Sequence, residues 1–121
     1  MPETNTRLNL VVLYTDDVKR LRDELSVFGL TFEQHQHGSG PVHFASEMDG
    51  CCLEIYPASD TNPTTQTRIG LRVNDINQAM ESAQAVNAVV KVEPKPSPWG
   101  TRAVIHLQSG MKVELVQPNG N

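Results

Sequence analysis

The chain has 121 residues, of which 38% are hydrophobic and 20% are charged, and its formal net charge at pH 7 is −4. A chain of this length can bury a core of its own, so we expect one globular domain. No apolar run approaches the roughly 20 residues of a membrane-spanning helix. The basic residues are scattered, whereas nucleic-acid-binding proteins cluster them. These properties argue against a membrane protein and against a nucleic-acid partner.

The amino-terminal residues and the cysteines predict a reducing compartment. The sequence MPETNTR has no basic start followed by an apolar core, so we expect no secretory signal and a cytoplasmic location. Cys51 and Cys52 are adjacent, and a disulfide between neighbours is strained. Both are expected to be reduced.

The first half of the chain predicts a strand, a helix and three more strands. Residues 8–14 are β-branched and apolar, which is typical of a strand. Asp16 or Asp17 is placed to cap a helix whose apolar residues recur at helical spacing up to Phe28, and Gly29 is placed to end it. Three strands are expected next, at 30–36, 42–47 and 51–56.

The second half predicts the same order of elements after a polar linker at 58–67. A strand at 68–73 leads to a helix capped by Asn74 or Asp75. Strands are then expected at 89–93, 101–107 and 111–116. The stretch 93–99 contains three prolines, which exclude a central strand and predict an exposed, stiff lip beside the site.

Two pairs of matching residues indicate that one unit is used twice. Asp17 and Asp75 are 58 positions apart, and Glu54 and Glu114 are 60 apart. A repeat of this kind decides the fold. We therefore predict an α+β protein, a single domain over 1–121 made of two tandem βαβββ modules, about 7–57 and 68–118. The modules would form a curved mixed sheet with the helices on its outer face.

Strand alternation predicts a binding cleft on the side away from the helices. One face of the predicted sheet is apolar and would pack under the helices. The opposite face carries side chains that are costly to bury unpaired, so it must be a concave, partly solvated cleft. The candidate ligand-binding residues are Tyr14, Glu54, Tyr56, Arg68, Arg72 and Glu114, together with Trp99 on the proline-rich lip.

Four stretches, taken in order, resemble the vicinal oxygen chelate superfamily. They are LYTDDVKRL from Leu13, FGLTFE from Phe28, LRVNDI from Leu71 and PWGTRAVIHLQSGMKVELVQP from Pro98. That superfamily contains glyoxalase I, extradiol dioxygenases, fosfomycin-resistance enzymes and bleomycin-resistance proteins. Two places depart from its pattern: Gln108-Ser109 replaces an Asp-Pro, and Glu24-Leu25 replaces an aromatic pair. The resemblance covers almost the whole chain and implies the predicted fold and a homodimer.

The resemblance also implies four metal-ligand positions, usually His, Glu, His and Glu. Here they fall on Leu10, Glu54, Arg68 and Glu114. Leucine cannot ligate a metal, and a guanidinium repels one. We therefore expect no metal and no cofactor at these positions. Arg68 would instead pair with Glu54 or Glu114.

Each candidate has two interpretations. Glu54 and Glu114 either bind a cationic or hydrogen-bonding group or are inherited scaffold neutralised by nearby cations. Arg68 either anchors a ligand anion or serves only as an ion-pair partner. Tyr14, Tyr56 and Trp99 either stack on a flat ligand or pack internally.

The histidines and Cys52 are weaker candidates. His35 and His37 have a spacing that can hold a metal, but we expect solvated residues at a strand end. His43 and His106 are candidates for a general base. Cys52 is on the Glu54 face and is expected to be an inert thiol.

These predictions lead to one principal function and two alternatives. The principal hypothesis is a metal-independent small-molecule-binding protein of the glyoxalase and bleomycin-resistance type, with no assigned catalytic residue. The enzyme alternative is a divalent-metal-dependent lyase or isomerase, or a dioxygenase. The third is a protein that acts only through a partner surface.

Overall fold

The computed structural model describes residues 6–120 and contains two βαβββ units in succession. Module 1 consists of β1 (Leu10–Thr15), α1 (Val18–Ser26), β2 (Glu33–His35), β3 (His43–Met48) and β4 (Cys51–Pro57). Module 2 consists of β5 (Arg68–Arg72), α2 (Ile76–Ala85), β6 (Val89–Ser97), β7 (Gly100–His106) and β8 (Lys112–Gln117). The predicted α+β class and the repeated module are confirmed. Neither of these helices is long and apolar enough to cross a membrane.

Each module has its own four-stranded mixed sheet. The strand orders are β1-β4-β3-β2 and β5-β8-β7-β6. In each sheet the first and last strands of the module are parallel neighbours, and the other pairs are antiparallel. The predicted mixed sheet is therefore present as two four-stranded sheets, whose edge strands are β1 and β2 in module 1 and β5 and β6 in module 2.

The helix caps are the two aspartates nearest the helices. The Asp17 carboxylate accepts a hydrogen bond from the Arg20 backbone N–H at 3.1 Å, and Asp75 accepts one from Gln78 at 3.1 Å. Both occupy the extended backbone conformation of an N-cap. Gly29 follows α1 with φ +100, the left-handed conformation expected after a helix.

The core lies between each helix and the sheet face that it covers. Residues of both modules join in one cluster of buried apolar side chains. Its most buried members include Leu13, Leu21, Leu25, Phe44, Ile55, Ala83, Ile105, Val113 and Leu115. The predicted apolar faces are thus confirmed, and the opposite sheet faces are left without a helix.

A buried carboxylate connects the two modules. Glu24 on α1 is only 3% exposed, and its Oε2 accepts a hydrogen bond from the Ser109 backbone N–H at 3.3 Å. Arg20 lies one turn away, with its Nε 3.9 Å from the same oxygen. The two departures from the superfamily pattern therefore contact each other, and they join α1 to the β7–β8 turn.

Strand β6 is longer than predicted, because the prolines lie at a sheet edge. The strand continues to Ser97 through Pro94 and Pro96. An edge strand does not need every backbone N–H, and register shifts between β6 and β7 accommodate the irregular stretch. The predicted lip is therefore largely the end of an edge strand whose register is irregular.

Gly100 determines how the β6–β7 turn is built. Ser97 and Gly100 are paired across the turn, so Pro98 and Trp99 form its tip. Gly100 has φ +129, and a Cβ there would clash with the carbonyl oxygen of Gln117. Only glycine fits this close approach, which holds Trp99 at the surface.

We expect Gly100→Ala to destabilise the protein more than the matched variant Gly110→Ala. Gly110 also has a positive φ, at +95, but a Cβ there meets nothing within 4 Å. Gly110→Ala should cost about 1 kcal/mol from backbone strain alone, and Gly100→Ala about 3 kcal/mol because the backbone must also move. Urea denaturation measures both, and equal losses would contradict the close approach.

Candidate functional site

The face of module 1 away from α1, which we call open face 1, carries a row of aromatic rings. Tyr14, Tyr56, His43 and His35 lie side by side on β1, β4, β3 and β2. Successive ring centroids are 6.2, 4.1 and 5.8 Å apart, and Tyr56 and His43 are stacked with an interplanar angle of 9°. The predicted tyrosine pair therefore continues into two histidines.

Open face 1 is otherwise acidic. Glu33, Cys52 and Glu47 line a surface pocket of about 220 Å³ beside the aromatic row. Glu54 is half-buried and forms no ion pair with any described residue. Open face 1 thus has three carboxylates and no lysine or arginine paired with Glu54.

These carboxylates affect their neighbours. Burial raises the pKa of the Cys52 thiol, and the negative charges of Glu54 and Glu47 raise it further. Burial, followed by Glu54, also raises the pKa of Tyr56. Both groups are therefore neutral near pH 7, which supports the inert interpretation of Cys52.

The equivalent face of module 2, open face 2, is cationic. Arg102 pairs with Glu114 at 2.9 Å, and Arg68 lies 3.5 Å from the same carboxylate oxygen. Of the two predicted partners for Arg68, Glu114 is thus the one that it contacts. Lys112 is paired with Arg68 in the sheet register, and Lys95 with Arg102. These four cations outnumber the single carboxylate.

The pKa of His106 is lowered in part by these positive charges. Burial lowers its pKa, and Lys91, Lys112 and Arg68 lower it further. His106 is therefore a neutral imidazole at pH 7, beside a positively charged surface.

Trp99 lies beside the ion pair at the rim of open face 2. It is 68% exposed. Together with Arg102 and Glu114 it lines a pocket of about 440 Å³, a volume typical of small-molecule sites. The Ser97 hydroxyl holds the turn by donating to the Gly100 carbonyl at 2.7 Å and accepting from the Trp99 N–H at 3.2 Å. The indole is therefore exposed to solvent and not packed in the core.

The predicted site residues divide between the two faces. Tyr14, Glu54 and Tyr56 lie on open face 1, and Arg68, Trp99 and Glu114 belong to open face 2. No hydrogen bond, ion pair or ring contact within residues 6–120 joins the two sets. Arg72 lines another pocket, of about 370 Å³, between the end of α1 and the start of α2.

Sequence reasoning missed Arg102, which makes the shorter of the two ion pairs with Glu114. Alternation along the predicted strand 101–107 places Arg102 on the same face as the candidate His106. Its contact with Glu114 follows only from the β7–β8 register, in which Val104 is paired with Glu114.

The four metal positions implied by the resemblance do not assemble as ligands. Leu10 offers no donor atom, and Arg68 is engaged with Glu114. A different group of potential ligands comes together instead. His35, His37 and His43 each place a ring nitrogen within 4.8 Å of the others.

Comparison with known proteins identifies the fold. No protein-family model matches the sequence, and a search of curated proteins gives no significant match. Among solved structures, TnmS3, an antibiotic binding protein from Streptomyces sp. CB03234, is similar with a TM-score of 0.74 and 20% identity, over 98% of this chain and 100% of that one. A glyoxalase/bleomycin resistance protein from Streptomyces sp. CB03234 is similar with a TM-score of 0.69 and 21% identity, over 92% and 100%. The fosfomycin resistance protein FosX from Mesorhizobium loti is similar with a TM-score of 0.66 and 13% identity, over 98% of this chain and 94% of that one.

We expect the reactivity of Cys52 to depend on Glu54. In a Cys51→Ser background, alkylation by iodoacetamide should rise at a higher pH than for a free cysteine, since only the thiolate reacts. Glu54→Gln removes a nearby negative charge, so the midpoint should move to lower pH. The shift should be partial because burial is the larger cause. Glu81→Gln on α2 is the control. If Glu54→Gln left the pH midpoint of Cys52 alkylation unchanged, the proposed effect of Glu54 on the thiol would be contradicted.

Proposed function

We propose that this chain, which shares the fold of the vicinal oxygen chelate superfamily, binds a small organic ligand without a metal at the superfamily's ligand positions. The observation that carries the proposal is the exposed Trp99 beside the Arg102–Glu114 ion pair in one pocket. The similar structures include one described as an antibiotic binding protein and one as a glyoxalase/bleomycin resistance protein. Their descriptions favour the same class of ligand here.

The two open faces suit different parts of such a ligand. The indole of Trp99 offers a flat surface for an aromatic ring. The excess of cations over Glu114 favours a carboxylate or phosphate group near Arg68 and Arg102. On open face 1, Tyr14 and Tyr56 favour a second apolar or aromatic part. Glu54, which has no cationic partner in the described chain, favours a hydrogen-bond donor or an amine.

The chemistry of the donor set supports metal independence at the superfamily positions. A metal-dependent lyase, isomerase or dioxygenase would need four donors there, and two carboxylates remain. Glu114 is already neutralised by two guanidinium groups. If Glu114 bound a metal instead, Arg68 and Arg102 would lose their carboxylate partner. We therefore assign no catalytic residue and no cofactor to these positions.

A homodimer would bring the two open faces together. Open face 1 presents Glu33, Glu47 and Glu54, whereas open face 2 presents an excess of cations, so the faces are electrostatically complementary. β1 and β5 are sheet edges, and Leu10 on β1 is 47% exposed. A two-fold dimer can place open face 1 of each chain against open face 2 of the other, which forms two equal clefts.

We expect organic ligands to stabilise the protein when EDTA is present. A thermal-shift screen of aromatic acids and antibiotics should give hits, and a ligand at 100 times its Kd adds about 2.7 kcal/mol. Trp99 is the only tryptophan in the sequence, so its fluorescence should change on binding. Trp99→Ala should weaken binding about tenfold, and Leu8→Ala, an exposed apolar residue outside the pocket, should not. Stabilisation that requires a divalent metal would refute the proposal.

We expect light scattering to give twice the 13.4 kDa mass of one chain. Leu10→Asp should shift the protein towards monomer, since it adds a charge to the β1 edge. Gln84→Asp is the control, because Gln84 is exposed on α2, away from the sheet edges and from both open faces. A wild-type monomer at micromolar concentration would overturn the dimer.

A further inference from the structure

We propose that His35, His37 and His43 form a binding site for one divalent transition-metal ion per chain, with Zn²⁺ as the probe. Their ligand atoms all lie within 4.8 Å of one another. The site is separate from the positions at Leu10, Glu54, Arg68 and Glu114, and the proposed ligand binding does not depend on it.

His43 is the buried member of the site. Its side chain is 1% exposed, and its Nδ1 lies 3.2 Å from the Pro41 carbonyl oxygen. A carbonyl only accepts hydrogen bonds, so Nδ1 carries the proton and Nε2 of the neutral ring has the lone pair. That Nε2 is buried and has no hydrogen-bond partner in the described chain. An unsatisfied buried nitrogen is costly, and a metal ion would satisfy it.

Glu33 orients the ring of His35. The Nε2 of His35 lies 3.2 Å from a Glu33 carboxylate oxygen, so Nε2–H donates a hydrogen bond to this oxygen. The lone pair of Nδ1 is then available to bind a metal ion. A carboxylate that holds the far nitrogen of a ligating histidine is the usual arrangement around protein metals, since it fixes the ring and makes it more basic. Glu33 is a positioning residue in this site.

His35 and His43 are fixed relative to each other, whereas His37 can adjust. The first two are partners in the β2–β3 register. His37 lies on the following turn, where its carbonyl accepts from the Gly40 N–H at 3.0 Å and Gly38 has φ +59. Its ring centroid is 5.2 Å from that of His43. Tetrahedral zinc with Zn–N of about 2.1 Å needs nitrogens about 3.4 Å apart, so a small movement of this turn completes the site.

The donor set determines which ions fit. Three imidazoles suit Zn²⁺, Co²⁺, Ni²⁺ and Cu²⁺, whereas Mg²⁺ and Ca²⁺ prefer oxygen ligands. Three protein ligands leave a fourth tetrahedral position for water. Because His43 is stacked on Tyr56, the ion would lie at one end of the aromatic row on open face 1.

The test is a Zn²⁺ titration of the untagged full chain, freed of metal by EDTA and dialysis, against a chromophoric chelator. One Zn²⁺ should bind per chain, and Mg²⁺ should not compete. Co²⁺ should give the intense visible absorption of a tetrahedral site. Less than half an equivalent of bound Zn²⁺, or octahedral Co²⁺ only, would overturn the proposal.

Variants identify the ligands without disturbing the core. His37→Ala changes an exposed turn residue and should weaken Zn²⁺ binding tenfold or more. Glu33→Gln should weaken it by about tenfold, as is usual for a residue that orients a ligand. His106→Ala, in module 2, is the matched control and should leave the affinity unchanged. Equal effects of His37→Ala and His106→Ala would refute the assignment.

The outcome is independent of the proposed function. Trp99→Ala should leave the Zn²⁺ affinity unchanged, and His37→Ala should leave ligand stabilisation in EDTA unchanged. Zn²⁺ binding that is lost in Trp99→Ala would place the ion on open face 2 and overturn the assignment to the three histidines.

Discussion

The structure depends on one constraint: each four-stranded sheet has a single helix, and that helix covers only one sheet face. Alternation along the strands sends Leu53 and Ile55 into the core and Cys52, Glu54 and Tyr56 to the other side. Burial of the apolar face stabilises the module, so the opposite face can carry polar and charged groups. Every candidate functional group discussed above, apart from the rim residue Trp99, lies on or beside such a face.

The two modules have the same order of strands, but their open faces have opposite charge. In module 1, the row across the sheet is made of tyrosine and histidine rings. In module 2, the equivalent strands β6 and β7 place Lys95 next to Arg102. The same difference appears at the two equivalent glutamates, because Glu114 contacts two arginines and Glu54 has no ion pair in the described chain. Complementary faces of this kind favour assembly as well as ligand binding.

Open face 1 carries both carboxylates and histidine rings. Burial raises the pKa of Cys52 and Tyr56, and the nearby carboxylates raise it further, so both groups are neutral near pH 7. Its histidines instead present nitrogen lone pairs, and one of them, at His43, is buried without a partner among residues 6–120. A face that is acidic and rich in imidazole favours cations, whereas open face 2 favours anions. The two faces therefore differ in which part of a ligand, or which ion, they can hold.

Much of the fold was determined by the sequence alone, because its signals are local. Periodicity of two and of 3.6 residues identified strands and helices, and the capping aspartates marked the helix starts. The nearly equal spacings of Asp17 from Asp75 and of Glu54 from Glu114 revealed the repeat. Only the tertiary structure decided which polar groups meet. Glu24 and Ser109 are 85 positions apart, and Arg102 reaches Glu114 only through the β7–β8 register. His43 joins His35 because β2 and β3 pair in one particular register, which no short-range pattern specifies.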